Sequence, residues 1–109
     1  MNFDTLIING DVVTESGIEA LDIGIQGEQI TALLARGTPV QAREVIDAAG
    51  MLVLPGAVDI HFHCRAPAYP QRGDFATETR AAAAGGVTTI FEMPISKPCC
   101  ATGEIFRAR

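Results

Sequence analysis

Apolar residues in the first half of the chain fall into short runs separated by turn formers. Leu6-Ile-Ile8 is followed by Asn9-Gly10 and then by Asp11-Val-Val-Thr14. Asn-Gly between two β-rich runs predicts a hairpin, because both residues tolerate the positive φ of a type I′ turn. Ser16-Gly17 marks a second turn. Leu21-Asp-Ile-Gly-Ile25 alternates apolar with small or polar residues, as a strand buried on one face should. Gly27-Glu28 then turns the chain into Gln29-Ile-Thr-Ala-Leu-Leu34. Residues 37–41 read as a loop, Glu44-Val-Ile-Asp47 as another short strand, and Met51-Leu-Val-Leu54 as a last apolar run before Pro55. Residues 1–54 are therefore expected to form a β meander, part of a small sandwich.

After Pro55 the pattern changes. Gly56 to Arg65 reads as a strand. Strand side chains alternate, so Asp59, His61, His63 and Arg65 are expected on one side and Ile60, Phe62 and Cys64 on the other. A loop rich in Pro and Gly runs to Gly73. Asp74 can then cap a helix over Phe75 to Ala84, with Gly85-Gly86 as its stop. Four consecutive alanines predict close packing of that helix on a sheet. Val87 to Met93 is β-branched and aromatic, hence a strand, and Pro94 ends it. Strand, loop, helix, strand is a βαβ unit, which implies parallel strands and a right-handed crossover. Ile105 to Arg109 predicts a second helix. One βαβ unit leaves a sheet face and both edges bare. The chain is therefore expected to be the N-terminal portion of a larger α/β protein, with residues 55–109 supplying its first strands and helices.

Composition narrows the function classes. Hydrophobic residues make up 48% of the 109, which suits a folded core rather than disorder. A net charge of −5 with only eight Lys and Arg argues against nucleic acid as a partner, since that needs a basic patch. The three cysteines include no C-x-x-C pair, and Cys99 and Cys100 are adjacent, so reduced thiols in a reducing compartment are expected. The first residues lack the features of a secretory signal. No run reaches the roughly 18 apolar residues that span a bilayer. A soluble, cytoplasmic protein with no membrane partner is the expectation.

The chemistry concentrates on the strand after Pro55. Two imidazoles one residue apart on one strand face can hold a single metal ion, and neutral imidazole is a favoured zinc ligand. On its own, His-x-His also suits packing or hydrogen bonding. The position adds weight, because parallel α/β barrels place their sites at the C-terminal ends of strands. Two ligands do not complete a catalytic zinc site, so the others must come from elsewhere. Arg65 is either a planar fork for a substrate carboxylate or a solvated arginine paired with Asp74 or Glu78. Asp59 reads as a supporting or structural carboxylate rather than a ligand, and Cys64 as a small packing residue. Glu92 ends its strand, where a contact with the site and a capping role are equally open. Gly85-Gly86 lacks any phosphate-loop pattern and follows a helix, so it is a terminator.

Several motifs together resemble a known family. Val53-Leu-Pro-Gly-Ala-Val-Asp-Ile-His-Phe-His63, Arg65, the stretch from Asp74 to Thr89 and Glu92-Met-Pro94 look like the amidohydrolase superfamily. The likeness is greatest to its dihydroorotase, allantoinase and hydantoinase branch, and Leu6 to Gly10 and Glu44 to Ala48 share it. The resemblance implies a TIM-type (β/α)8 barrel preceded by part of a small β-sandwich built from both chain ends. It implies a centre of one or two divalent ions, zinc by expectation, with His61 and His63 as its first ligands. A lysine, two histidines and an aspartate of later strands would complete it. It implies hydrolysis of a carbon–nitrogen bond in a small-molecule cyclic amide, by a protein expected to be a homo-oligomer at full length. Residues 1–109 alone are expected to be inactive.

The resemblance leaves the substrate divided. Arg65 matches the position at which dihydroorotases recognise a carboxylate. Ala66, Pro67 and Ala68 depart from their usual continuation, and Ile95 stands where they usually have a substrate-holding asparagine. Glu92-Met-Pro94 looks more like allantoinases, which tend to lack the arginine. The first expectation is dihydroorotase-like hydrolysis, with allantoinase- or hydantoinase-like hydrolysis as the alternative. A non-catalytic scaffold of the same family remains open, and a free-standing β-rich binding module would require residues 1–54 to fold alone.

Overall fold

The computed structural model describes residues 2–108. The chain divides into two units, Met1–Pro55 and Gly56–Arg109. The first is a curled sheet of β1 (Asn2–Ile8), β2 (Asp11–Thr14), β3 (Gly17–Gln26), β4 (Gln29–Ala35), β5 (Gln41–Asp47) and β6 (Leu52–Val53). Long β3 is the spine. β4 lies antiparallel along one side of it, while β1 and β2 follow one another along the other side, Leu6 opposite Gly24 and Val12 opposite Glu19. β5 and β6 then return parallel to β1 and β2. The sheet is thus mixed, and the meander expected from the sequence holds only from β2 to β4.

Asn9-Gly10 is a break between two strands on the same side of β3, and no hairpin forms there. A type I′ turn needs positive φ at both central residues, and only Asn9 has it, at 64°. Gly10 serves close approach instead: a Cβ there would lie 2.5 Å from Val53 and 3.1 Å from Ala48. The two-residue turns fall later, between paired Thr14 and Gly17 and between paired Gln26 and Gln29. Buried Asp22 ties the break to the turn after β4, accepting from the Asn9 amide at 3.1 Å and the Gly37 amide at 2.8 Å. Phe3, Leu6, Val12, Ile23 and Ala48 form the core. The Phe3 ring lies over Gly24, where a Cβ would come within 2.5 Å of it.

The second unit carries the parallel pair β7 (Ala57–Phe62) and β8 (Val87–Glu92), with α1 (Phe75–Ala84) between them in sequence. Asp74 caps α1 in both senses: its Oδ1 accepts from the Thr77 amide at 2.8 Å, and its own amide donates to Thr77 Oγ1 at 2.9 Å. The Thr77 amide holds the Asp74 carboxyl below its ordinary pKa. Gly85 ends the helix by donating back to Ala81 and Ala82, and Gly86 follows at a φ of 85°. α1 packs against β8 but buries no residue fully, so its alanines are less covered than the sequence predicted. Gly56 leaves room for Thr88, which a side chain at 56 would strike. The last helix, α2 (Gly103–Arg107), starts before Ile105 because Thr102 caps it, accepting from the Ile105 amide. Arg109, where that helix was expected to end, lies outside the described residues. Among the described residues no helix is long and apolar enough to cross a membrane.

Candidate active site

β7 stops at Phe62, so His61 is its penultimate residue, His63 lies just past its end, and Arg65 belongs to the following loop. The strand is shorter than the sequence predicted. Its alternation is also interrupted: Asp59 pairs with Ile90 but Phe62 with Glu92, so β7 uses three steps where β8 uses two. Asp59, His61, His63 and Arg65 therefore do not form one uninterrupted face. Asp59 instead turns back on its own strand, its Oδ1 accepting from the His61 amide at 3.0 Å.

The two imidazoles nevertheless meet. Their centroids are 5.0 Å apart with the planes inclined at 62°. A flat strand repeats every two residues at roughly 6.6–6.8 Å, so the rings are drawn closer than the repeat alone would bring them. His63 Nδ1 is buried without a hydrogen-bond partner. Buried polar atoms are ordinarily satisfied, so this one is a departure that asks for a reason. Among the described residues no three His, Cys, Asp or Glu side chains cluster as a metal cage would require. Cys64 is buried, in keeping with a packing residue. Glu92 is half-buried at the end of β8, in register with Phe62.

Arg65 lies on a cleft of about 310 Å³ formed with Tyr69 and the loop after β8, including Ile95, Ser96, Lys97 and Cys99. Among the described residues it forms no ion pair with Asp74 or Glu78, the alternative its spacing allowed. Two bonds shape the far wall: Ser96 Oγ donates to the Pro98 carbonyl at 2.9 Å, and Cys99 Sγ to the Pro94 carbonyl at 3.2 Å. Two cations thus line one cleft, Arg65 from the loop after β7 and Lys97 from the loop after β8, and exposed Ile95 belongs to the same lining. Lys97 and Tyr69 went unnoticed in the sequence. Their only signal was position, since both lie in loops that leave strand or helix ends in a βαβ unit.

No family profile matches the chain. It is 42% identical over 98 residues to an allantoinase of Salmonella paratyphi B, an alignment covering 89% of this chain and 21% of that protein. Among solved structures it is similar to the L-hydantoinase (dihydropyrimidinase) from Arthrobacter aurescens, with a TM-score of 0.86 and 37% identity. That match covers 97% of this chain and 24% of the other. A D-hydantoinase structure matches with a TM-score of 0.66 and 42% identity, over 81% of this chain and 19% of the other. The chain spans about a fifth of the length of the curated relatives it matches. These relatives carry the names allantoinase and hydantoinase, which favours the alternative substrate reading over the dihydroorotase-like one. Residues 1–109 belong to the cyclic amidohydrolase branch of the amidohydrolase superfamily.

Proposed function

We propose that this chain is part of a metal-dependent hydrolase of carbon–nitrogen bonds in cyclic amides, of the allantoinase and hydantoinase kind. The observation that carries the proposal is the histidine pair: two rings 5.0 Å apart at a strand end, one with a buried, unpartnered nitrogen. That donor set fits zinc, which favours neutral imidazole. His61 and His63 would hold the ion, and further ligands would come from the rest of the whole protein. When bound, the ion supplies electrophilic polarisation of the scissile carbonyl and activation of water.

The chain's own residues supply orientation. Arg65 and Lys97 give the cleft two donors for an anionic or carbonyl-rich end of the substrate. Ile95 offers an apolar wall where water is to be kept out. The proposal includes a (β/α)8 barrel in the whole protein. Its support is that Ile60 is 72% exposed and Phe91 57% on β7 and β8, an apolar load that two parallel strands do not carry in water. A cytoplasmic setting belongs to the same proposal, supported by three free cysteines.

The test is elemental analysis of the whole protein, beside ring opening of allantoin, hydantoin and dihydroorotate. Replacing both His61 and His63 by Ala should remove most bound zinc and the hydrolysis. Unchanged metal content in that double variant would refute the site, and a preference for dihydroorotate would return the substrate reading to its first form.

A further inference from the structure

The register shift in β7 has a consequence for the histidine pair. Between the Asp59–Ile90 and Phe62–Glu92 pairs β7 carries one extra residue, a bulge falling on Ile60 and His61. A bulge disrupts the ladder and leaves a strand amide in need of another acceptor. The His61 amide finds it in Asp59 Oδ1, two residues back and 3.0 Å away. Short Asp and Asn side chains are suited to this local bond.

We infer that Asp59 is a positioning residue for the histidine pair, its side chain replacing the lost ladder acceptor and so fixing the bulge at which the His61 and His63 rings meet. The role belongs to the carboxylate's acceptor oxygen, and the negative charge is incidental to it. Without the bond the bulge can slide along β7, and the ring spacing relaxes toward the two-residue repeat. The inference rests on the proposed metal role of the two histidines.

The full chain tests it through two readouts: zinc affinity by calorimetry, and hydrogen exchange of the His61 amide by NMR. Asp59→Ala should speed exchange at His61 and weaken zinc binding by about 10- to 100-fold, the usual effect of removing a group that orients a ligand. Asp59→Asn keeps an acceptor oxygen without the charge, and should restore both readouts to within about threefold of the parent. If Asp59→Ala leaves both unchanged, the inference is wrong. It is equally wrong if Asp59→Asn binds zinc as poorly as Asp59→Ala, because the charge would then be what matters. Should Asp59→Ala fail to fold, the Asn variant decides alone: parent-like exchange and affinity support the inference, and loss of either overturns it. A chain with both His61 and His63 changed to Ala separates the two claims. If it binds zinc as the parent does, the metal reading falls, while exchange of the backbone amide at position 61 still reports whether Asp59 holds the bulge.

Discussion

Replacing His63 by Leu should stabilise the zinc-free chain and reverse that advantage when zinc is added. The buried, unpartnered Nδ1 is the reason. A buried polar atom without a partner costs about 1–3 kcal/mol, and exchanging it for an apolar group removes that penalty. Against this stands the edge-on contact with His61 at 5.0 Å, a ring pair worth about 0.5–1.5 kcal/mol. The difference leaves a gain of about 1 kcal/mol for the variant in a chelator. Zinc at about a hundred times its dissociation constant should stabilise the parent by about 2.7 kcal/mol through linkage alone. The variant lacks the His63 donor and should gain little, so the parent should lead by about 1.5 kcal/mol. Urea unfolding followed by circular dichroism, with and without zinc, measures both differences. A variant less stable than the parent in chelator by more than about 1 kcal/mol would show that Nδ1 is satisfied in solution. Equal stabilisation of both chains by zinc would show that His63 is not a donor.

The β unit gives two further expectations and the cap of α1 a third. Asp22→Ala strands the Asn9 and Gly37 amides; because both bonds are partly buried the loss should be about 2–3 kcal/mol in urea unfolding, with Asp22→Asn about half as large. A loss below about 0.5 kcal/mol for the alanine would mean that water replaces the carboxylate. Gly24→Ala drives a methyl into the Phe3 ring and should cost about 1–3 kcal/mol, part of it recovered by adding Phe3→Leu; purely additive losses would place the strain elsewhere. Asp74 titrates below its ordinary pKa when folded, so its cap contributes fully above the unfolded value and is lost as pH falls through the folded one. The helical dichroism of the parent should therefore weaken below about pH 4 while that of Asp74→Asn stays flatter, and parallel curves would exclude Asp74 as the cause.

What the sequence made legible was local. Asp74 and Gly85 bracket α1 at the predicted residues because capping and termination depend on chemistry within one helical turn. The Gly27-Glu28 turn was legible for the same reason. Asn9-Gly10 misled, since the same dipeptide serves a hairpin or a strand break, and what separates the two is Val53 and Ala48 more than 35 residues away. The parallel returns of β5 and β6 were hidden likewise, because neither strand's pattern names its partner. At the site, His61 and His63 could be picked out from spacing alone. The bulge could not, because it is a mismatch with β8, thirty residues on. Nor could the cleft, whose two cations come from different loops.

Two buried polar groups, the Asp22 carboxylate and His63 Nδ1, make the division of labour physical. Asp22 is 3% exposed and satisfied on both oxygens by backbone amides. Such a group rigidifies the sheet, and nothing about it calls for a ligand. The His63 nitrogen is buried too, yet stands without a partner, one residue past a strand that has lost its regular register. Folding free energy alone would select against that combination, since an apolar residue and an unbroken ladder would both be more stable. Departures from local consistency that persist in a folded chain concentrate where function compensates for them. The β unit, with its bonded carboxylate, shows none of this kind at Asp22. The end of β7 shows two within four residues, and they coincide with the pair of imidazoles proposed to hold the metal.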